Sequence, residues 1–342
     1  MVKVAIFGGS GYAGLELLRL CAAHPDLEVT SVAGQSSAGR RVSELNPSLS
    51  AAYDGLVVEP LGPGAAIGCD LVFSALPHGE SQRLVPDLLE AGSLVVDLAA
   101  DFRLKDPSLY PTWYGQPHGV PDLLTASVLG IPELFREDIR GSRLVAAAGC
   151  YVTAAALALA PFVRAGAAQP TGIVVDAASG VSGAGRAPTD VTHFGSVDEN
   201  FTAYGLLNHR HTPEIEQALG EGAQVLFTPH LAPMTRGILA TCYARPTLAG
   251  PTDTAAALEL LHRVYDAEPF VQVVDGSPQT KHTRGSNSAH VTVRVDDRTG
   301  WLVAICALDN LVKGAAGQAI QCANLALGLE EITGLSTAGL YP

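Results

Sequence analysis

Residues 3–14, KVAIFGGSGYAG, decide how the first half of the chain folds. Lys3 to Phe7 is a short apolar run that stops at Gly8, and Leu15, Leu17, Leu18 and Leu20 then give Gly11–Ala23 a helical pattern. A strand, a turn and a helix in that order place glycines at 8, 11 and 14. Glycines there permit a tight turn and let backbone approach a pyrophosphate, whose charge faces the helix N-terminus. A bare glycine pattern also fits an ordinary tight turn without a ligand; the strand–loop–helix context is what makes it specific.

Outward from this loop, Leu27–Ala33, Leu71–Ala75 and Leu94–Leu98 are further strand candidates. The last two are nearly continuous apolar runs, as strands covered on both faces should be. Strand alternating with helix to about residue 149 predicts a parallel, doubly wound sheet. Beyond it the pattern changes. Runs at 172–178, 224–229, 238–245, 290–295 and 301–308 read as strands, with helices only at 151–160, 212–219 and 254–267. That succession predicts a second domain with a mixed or antiparallel sheet, and 313–327 predicts a last helix packing back on the first domain. A chain of 342 residues is comfortable for two domains. The expected division is a nucleotide-binding domain of residues 1–149 and 311–342, and a catalytic and oligomerisation domain of residues 150–310.

The end of the second strand bears on the nucleotide. A carboxylate there would accept from the ribose 2′-OH of NAD. The chain instead offers Gln35, Ser36, Ser37, Arg40 and Arg41, hydroxyls and guanidiniums that suit a 2′-phosphate, so NADP is favoured. An ordinary solvated loop is the alternative for either arginine.

A net charge of −13 argues against nucleic acid or an anionic membrane as the main partner. The opening MVKVAIFGGSG lacks a secretory pattern, and no run reaches the ~18 apolar residues of a membrane helix. Cytoplasmic residence is the expectation. Six cysteines without CxxC spacing point to neither a disulfide framework nor a metal site. Five of them sit in apolar or helical context, where a small buried hydrophobe is the default. Cys150 differs, because it follows Ala-Ala-Gly (147–149) and opens the helical run YVTAAALALA. A thiol at a helix N-terminus has its pKa lowered by the dipole, and free N–H groups lie there for an oxyanion. An ordinary thiol still needs a base or cation nearby. The segment NHRHTPE (208–214) supplies candidates: His209 or His211 to accept the proton, Glu214 to orient an imidazole. A polar helix start at Pro213 would explain the same residues.

Nine blocks in order then resemble the N-acetyl-γ-glutamyl-phosphate reductase family, in the group that also holds aspartate-semialdehyde dehydrogenase. They are FGGSGYAG (7–14), ALPHG (75–79), DLAADFRL (97–104), AGCYVTAA (148–155), SGVSGAGR (179–186), ENFTAYG (199–205), NHRHTPEIEQ (208–217), TPHLAPMTRGIL (228–239) and DNLVKGAAGQAIQ (309–321). The resemblance implies a Rossmann-type domain plus an α+β catalytic domain, NADP(H) as cofactor, a homodimer or homotetramer, and reduction of a small acyl phosphate through a Cys150 thioester. It implies Cys150 as nucleophile, His209 as general acid/base, and His211 and Glu214 in support. Cofactor contacts are expected from Gly8, Ser10, Gly11, Tyr12, Gly14, Ser36, Ser37, Arg40, Pro77, His78, Gly183 and Asn310. Arg103 is the expected phosphate ligand, helped by Ser179 and Ser182, with Arg186, Arg210 and Arg236 as candidates for the substrate carboxylate; an ion pair would explain any of these arginines as well. One position departs from the family pattern: Ala148 stands where proline usually precedes Gly-Cys. The nearest rival is the lysine-biosynthesis sister that acts on a carrier-linked acyl phosphate, against which the negative charge speaks. A cysteine hydrolase leaves the glycine loop without a role, and a non-catalytic NADP-binding regulator leaves Cys150 without one.

Overall fold

The computed structural model describes all 342 residues, which divide into two compact units. The first comprises Met1–Ala148 and Ala315–Leu335, the second Gly149–Gly314 and Ser336–Pro342.

The first unit is built on seven strands: β1 (Val2–Phe7), β2 (Leu27–Ala33), β3 (Val58–Glu59), β4 (Leu71–Ser74), β5 (Leu94–Asp97), β6 (Val128–Gly130) and β7 (Leu144–Ala147). All pair in parallel, in the order β3-β2-β1-β4-β5-β7-β6. The order reverses between β1 and β4, and a crevice opens outside the carboxyl ends of strands at such a switch point. β4, β5 and β7 are buried at every position, which is why they read as unbroken apolar runs. The helix Gly317–Leu327 packs against β5, β7 and the helix Pro132–Ile139, and the chain rejoins this unit at Ala315, four residues beyond the expected 311. The two-residue β3 and three-residue β6 escape periodicity because they are shorter than the four or more residues over which a strand pattern can be read.

The last seven residues, expected with the nucleotide domain, belong instead to the second unit. Leu340 N–H donates to Arg284 O, Ser288 Oγ donates to Thr337 O, and the Leu340 side chain lies over Gly285.

The second unit is a seven-stranded mixed sheet of β8 (Ile173–Gly180), β9 (Thr202–Ala203), β10 (Val225–Ala232), β11 (Ile238–Ala244), β12 (Val271–Val273), β13 (Ala289–Asp296) and β14 (Trp301–Leu308). Its order is β12-β13-β14-β11-β8-β10-β9; β10/β8 and β12/β13 run parallel and the rest antiparallel. Alternation is clean: Ile238, Ala240, Cys242 and Ala244 are buried while Leu239, Thr241 and Tyr243 are half-exposed. The helices Cys150–Val163 and Thr254–Tyr265 pack on this sheet. The Cys150 helix is buried almost throughout its 14 residues, so its alanine-rich sequence shows little amphipathic contrast. No helix of the chain is long and apolar enough to cross a membrane.

Candidate active site

In the first unit, the glycine loop forms one wall of a cavity of 590 Å³. Gly8, Ser10 and Gly11 line it from β1, Gly34, Gln35 and Ser36 from the end of β2, and Ala75, Leu76, Pro77 and Glu80 from the end of β4. Gly8 has φ +81°, and a Cβ on it would overlap Ala75 O. A Cβ on Gly14 would overlap Gly8 O, so these two glycines are required for β1, β4 and the helix to approach. Gly11 is the N-cap of Tyr12–Cys21 and makes no side-chain capping bond, so the first N–H groups of this helix have no acceptor within it. This cradle fits a dinucleotide pyrophosphate.

Ser37 is buried beside the same wall, with its Oγ unpartnered and close under Gly34. An unsatisfied hydroxyl is the donor a 2′-phosphate would call on. Arg40 does not line the cavity; it is exposed and only 4.0 Å from Glu44. Tyr12 is more than a third exposed, and Gly14 acts through packing. His78 also lies outside the lining, with Nδ1 2.5 Å from Asp101 Oδ1. Arg103 is buried, its Nε and Nη2 donating to Ala147 O and Leu98 O at the ends of β7 and β5.

In the second unit, Cys150 is the first residue of Cys150–Val163 and the only cysteine not fully buried. Gly149, its N-cap, makes no side-chain capping bond, and a Cβ on Gly149 would overlap the His211 ring. Gly314 packs directly on Cys150, where an added Cβ would come within 2.7 Å of Cys150 Cβ. His211, first residue of His211–Leu219, is buried, as is Glu214 one turn later.

His209 and His211 stand 4.7 Å apart, nearly perpendicular, among the rings of Tyr151, Tyr204 and Phe227. Tyr204 donates to the Tyr151 hydroxyl, which donates to His230 O. His209 Nδ1 accepts from the His211 N–H at 3.1 Å. Burial, helped by the Arg210 charge, lowers its pKa to about 4. His209 is therefore neutral at pH 7, and an Nδ1 that accepts leaves its proton on Nε2.

Ser179 and Ser182 are buried; Ser179 donates to Gly180 O and Ser182 accepts from Asn310 Nδ2. Asn310 also accepts from Gly237 N–H, and Gly183 packs over Ser179 Oγ, so these four residues form one cluster. Arg186 and Arg210 are exposed. Arg236 Nη1 lies 3.5 Å from Asp309 Oδ2. Asp309 is a fully buried hub that also accepts from Gly285, Leu311 and Val312 N–H. The sequence reading missed it, along with Lys313, a wholly buried lysine in the π-turn Val312–Ala316. Both lie inside DNLVKGAAGQ, where a charged residue in an apolar stretch was the available signal.

These two units define a semialdehyde dehydrogenase type of chain. Residues 3–142 match the semialdehyde dehydrogenase NAD binding domain and residues 150–310 its dimerisation domain. Aspartate semialdehyde dehydrogenase II of Vibrio cholerae, complexed with ASA, shares the fold at TM-score 0.72 and 19% identity over 96% of this chain and 98% of that one. The Candida albicans aspartate semialdehyde dehydrogenase with NADP aligns at TM-score 0.67 and 16% identity, covering 95% and 98%. Full-length relatives are much nearer in sequence. The N-acetyl-gamma-glutamyl-phosphate reductase of Symbiobacterium thermophilum is 49% identical over 100% of this chain and 99% of its own, and that of Citrifermentans bemidjiense 47% over 100% of each. The chain belongs to the N-acetyl-gamma-glutamyl-phosphate reductase family.

Proposed function

We propose that the chain reduces N-acetyl-γ-glutamyl phosphate to N-acetylglutamate 5-semialdehyde and phosphate, a step of arginine biosynthesis, with Cys150 as the covalent nucleophile. The observation that carries the chemistry is the placement of Cys150 at the start of a buried 14-residue helix, with the His211 ring against the preceding glycine. The helix N-terminus favours the thiolate and offers N–H groups to the oxyanion of an attacked carbonyl.

The resemblance gives the proton to His209, whereas the geometry favours His211. The Nδ1 lone pair of His209 is taken by the His211 N–H and its Nε2 is protonated, so neutral His209 can donate but has no free lone pair to accept. In our reading His211 takes the Cys150 proton, the thiolate attacks the acyl carbon, and phosphate leaves to give a thioester. When bound, NADPH supplies the hydride that reduces that carbonyl. The resulting hemithioacetal collapses to the aldehyde, and His211 returns the proton to sulfur. Glu214 holds the imidazole, and His209 donates from Nε2 to substrate oxygen. Arg103 is our phosphate ligand, with Ser179 and Ser182, and Arg186, Arg210 and Arg236 are the candidates for the carboxylate. The cradle of Gly8, Ser10, Gly11, Ser36 and Pro77, with Ser37 beneath it, would hold NADP.

We assign residues 1–149 with the Gly317–Leu327 helix to cofactor binding and residues 150–310 to catalysis and self-association, as a cytoplasmic dimer or tetramer. The second sheet supports self-association, because the face opposite the covering helices carries a row from exposed Leu226 through Val174 and Tyr243 to Val303, with Leu239 and Ile305 beside it. The test runs the reaction in reverse with N-acetylglutamate semialdehyde, NADP⁺ and phosphate, following NADPH absorbance. Phosphate-dependent NADPH formation that vanishes in Cys150→Ser is expected. Turnover only with a carrier-linked semialdehyde would move the chain to the lysine-pathway reaction, and NADPH binding without any turnover would sink the mechanism. His211→Asn should cost more of kcat than His209→Asn; the reverse order would return the proton to His209.

A further inference from the structure

Asp101 lies just past β5 and is completely buried, yet it does not line the nucleotide cavity. Its Oδ1 accepts from Gly79 N–H at 2.7 Å and lies 2.5 Å from His78 Nδ1. Its Oδ2 accepts from Gln82 N–H at 3.0 Å, in the first turn of the helix Ser81–Glu90. Burial alone would raise the pKa of this carboxyl, but His78 and the two N–H groups outweigh it and hold it below the ordinary range. Asp101 is itself fixed from behind, because its carbonyl accepts from Tyr110 Oη and His118 Nε2, both at 2.7 Å. The His78 ring in turn lies 4.5 Å from that of Tyr114.

The three groups gripped by this carboxylate belong to one short segment, Leu76–Gln82. Its other side is a wall of the nucleotide cavity, through Leu76, Pro77 and Glu80. Gly79 in its middle has φ +91°, so the segment is bent sharply where the carboxylate holds it. A surface loop with a left-handed bend would sample other shapes, whereas a buried carboxylate that takes two N–H bonds and has an imidazole against it selects one. We infer that Asp101 is a positioning residue for the cofactor: through His78, Gly79 and Gln82 it sets the shape of the cavity wall at Leu76–Glu80. It acts without touching the cofactor.

This inference rests on the NADPH reading of the cavity, and the experiment separates the two. NADPH affinity is titrated by fluorescence in wild type, Asp101→Asn and His78→Phe, with steady-state kinetics and thermal melts alongside. Asp101→Asn keeps the shape but loses the charge and one acceptor. His78→Phe keeps the ring beside Tyr114 and removes only the nitrogen partner. Asp101→Asn should weaken NADPH binding about tenfold or more, consistent with losing one or two charge-assisted bonds, and raise KM for NADPH while kcat and the other substrate's KM change little. His78→Phe should move the same constants in the same direction by less. Folded variants with wild-type NADPH affinity and only a lowered Tm would overturn the inference and leave Asp101 a purely structural residue. If Asp101→Asn does not fold, unchanged affinity in His78→Phe overturns it by itself. Wild-type protein that fails to bind NADPH would instead sink the reading of the cavity.

Discussion

The nucleotide cavity of the first unit and the Cys150 region of the second are built by opposite means. Glycines at 8, 11 and 34 and the turn after β4 line the cavity, and the N–H groups it offers to an anion stand at a helix start. The Cys150 region is made of side chains drawn from residues 150–151, 204, 209–214 and 227. A backbone site is encoded where it stands, because missing side chains define it. A side-chain site depends on topology to bring distant residues together. One feature is shared: in each, a helix begins at a glycine that makes no side-chain cap.

That shared feature gives the sharpest test of the contrast. Gly149→Ala would drive a methyl group into the His211 ring, so the ring must shift off the Cys150 loop. We expect kcat to fall by about two to three orders of magnitude, the usual scale for displacing an acid–base group, with NADPH affinity unchanged. An active Gly149→Ala enzyme would break the claim that His211 works at this position. Gly8→Ala should do the reverse. Its φ of +81° and the overlap with Ala75 O act together, destabilising the fold by roughly 2–4 kcal/mol. Urea denaturation should show that loss, and NADPH titration a parallel weakening. A stable Gly8→Ala variant with normal affinity would mean the loop relaxes more freely than its packing implies.

The same contrast explains what could be read from the sequence. The glycine loop, the long strands and the helix-capping Cys150 are local features and were legible. So was the candidate pair His209 and His211, because both lie in one seven-residue segment. Their unequal burial and the His211 N–H on His209 Nδ1 were not, since these arise from how the segment enters its helix beside Phe227 of β10. Asp101 and Asp309 were missed for a related reason. Each serves a backbone N–H from a remote segment, and although Asp309 stands out as a charge in an apolar stretch, no sequence pattern says which main-chain donors such a carboxylate will meet. Arg103 and Arg236 read as substrate ligands or as members of ion pairs, and the fold supplies carbonyls to the first and a carboxylate to the second. Arg40 read as a nucleotide ligand and stands apart from the cavity.

A third test asks whether the backbone-built unit also carries electrostatic cost beneath its cavity. Asp97, at the end of β5, is wholly buried; its Oδ1 accepts from Ser81 Oγ and Ala99 N–H, while Oδ2 has no partner. Burial raises its pKa from 3.8 to about 7. A carboxyl that binds its proton more tightly folded than unfolded stabilises the fold fully below the unfolded value. That contribution is lost as pH rises through the folded value, here between about 4 and 7. Asp97→Asn mimics the protonated form at every pH. It should therefore match wild type near pH 4 and exceed it by roughly 1–3 kcal/mol at pH 8, as read from urea midpoints. A variant less stable than wild type at pH 8 would show that the Ser81 bond outweighs desolvation.

The smallest expected effect probes the side-chain site at its rim. Tyr204 Oη donates to Tyr151 Oη at 3.1 Å, and Tyr151 passes the bond on to His230 O. The Tyr204 ring is 38% exposed, but desolvation of its hydroxyl raises its pKa to about 12, so it remains a neutral donor over the working range. Tyr204→Phe keeps the ring beside His209, centroids 5.5 Å apart, and removes one neutral bond from a chain whose next link survives. Such a bond contributes about 1 kcal/mol, so kcat should fall no more than about fivefold and NADPH affinity should not change. If the hydroxyl chain carried a reacting proton, the loss would approach that of a histidine variant, and solvent isotope effects on kcat would change with it. A small loss without such a change places Tyr204 among the groups that hold the ring cluster in shape, and leaves the proton with the two imidazoles.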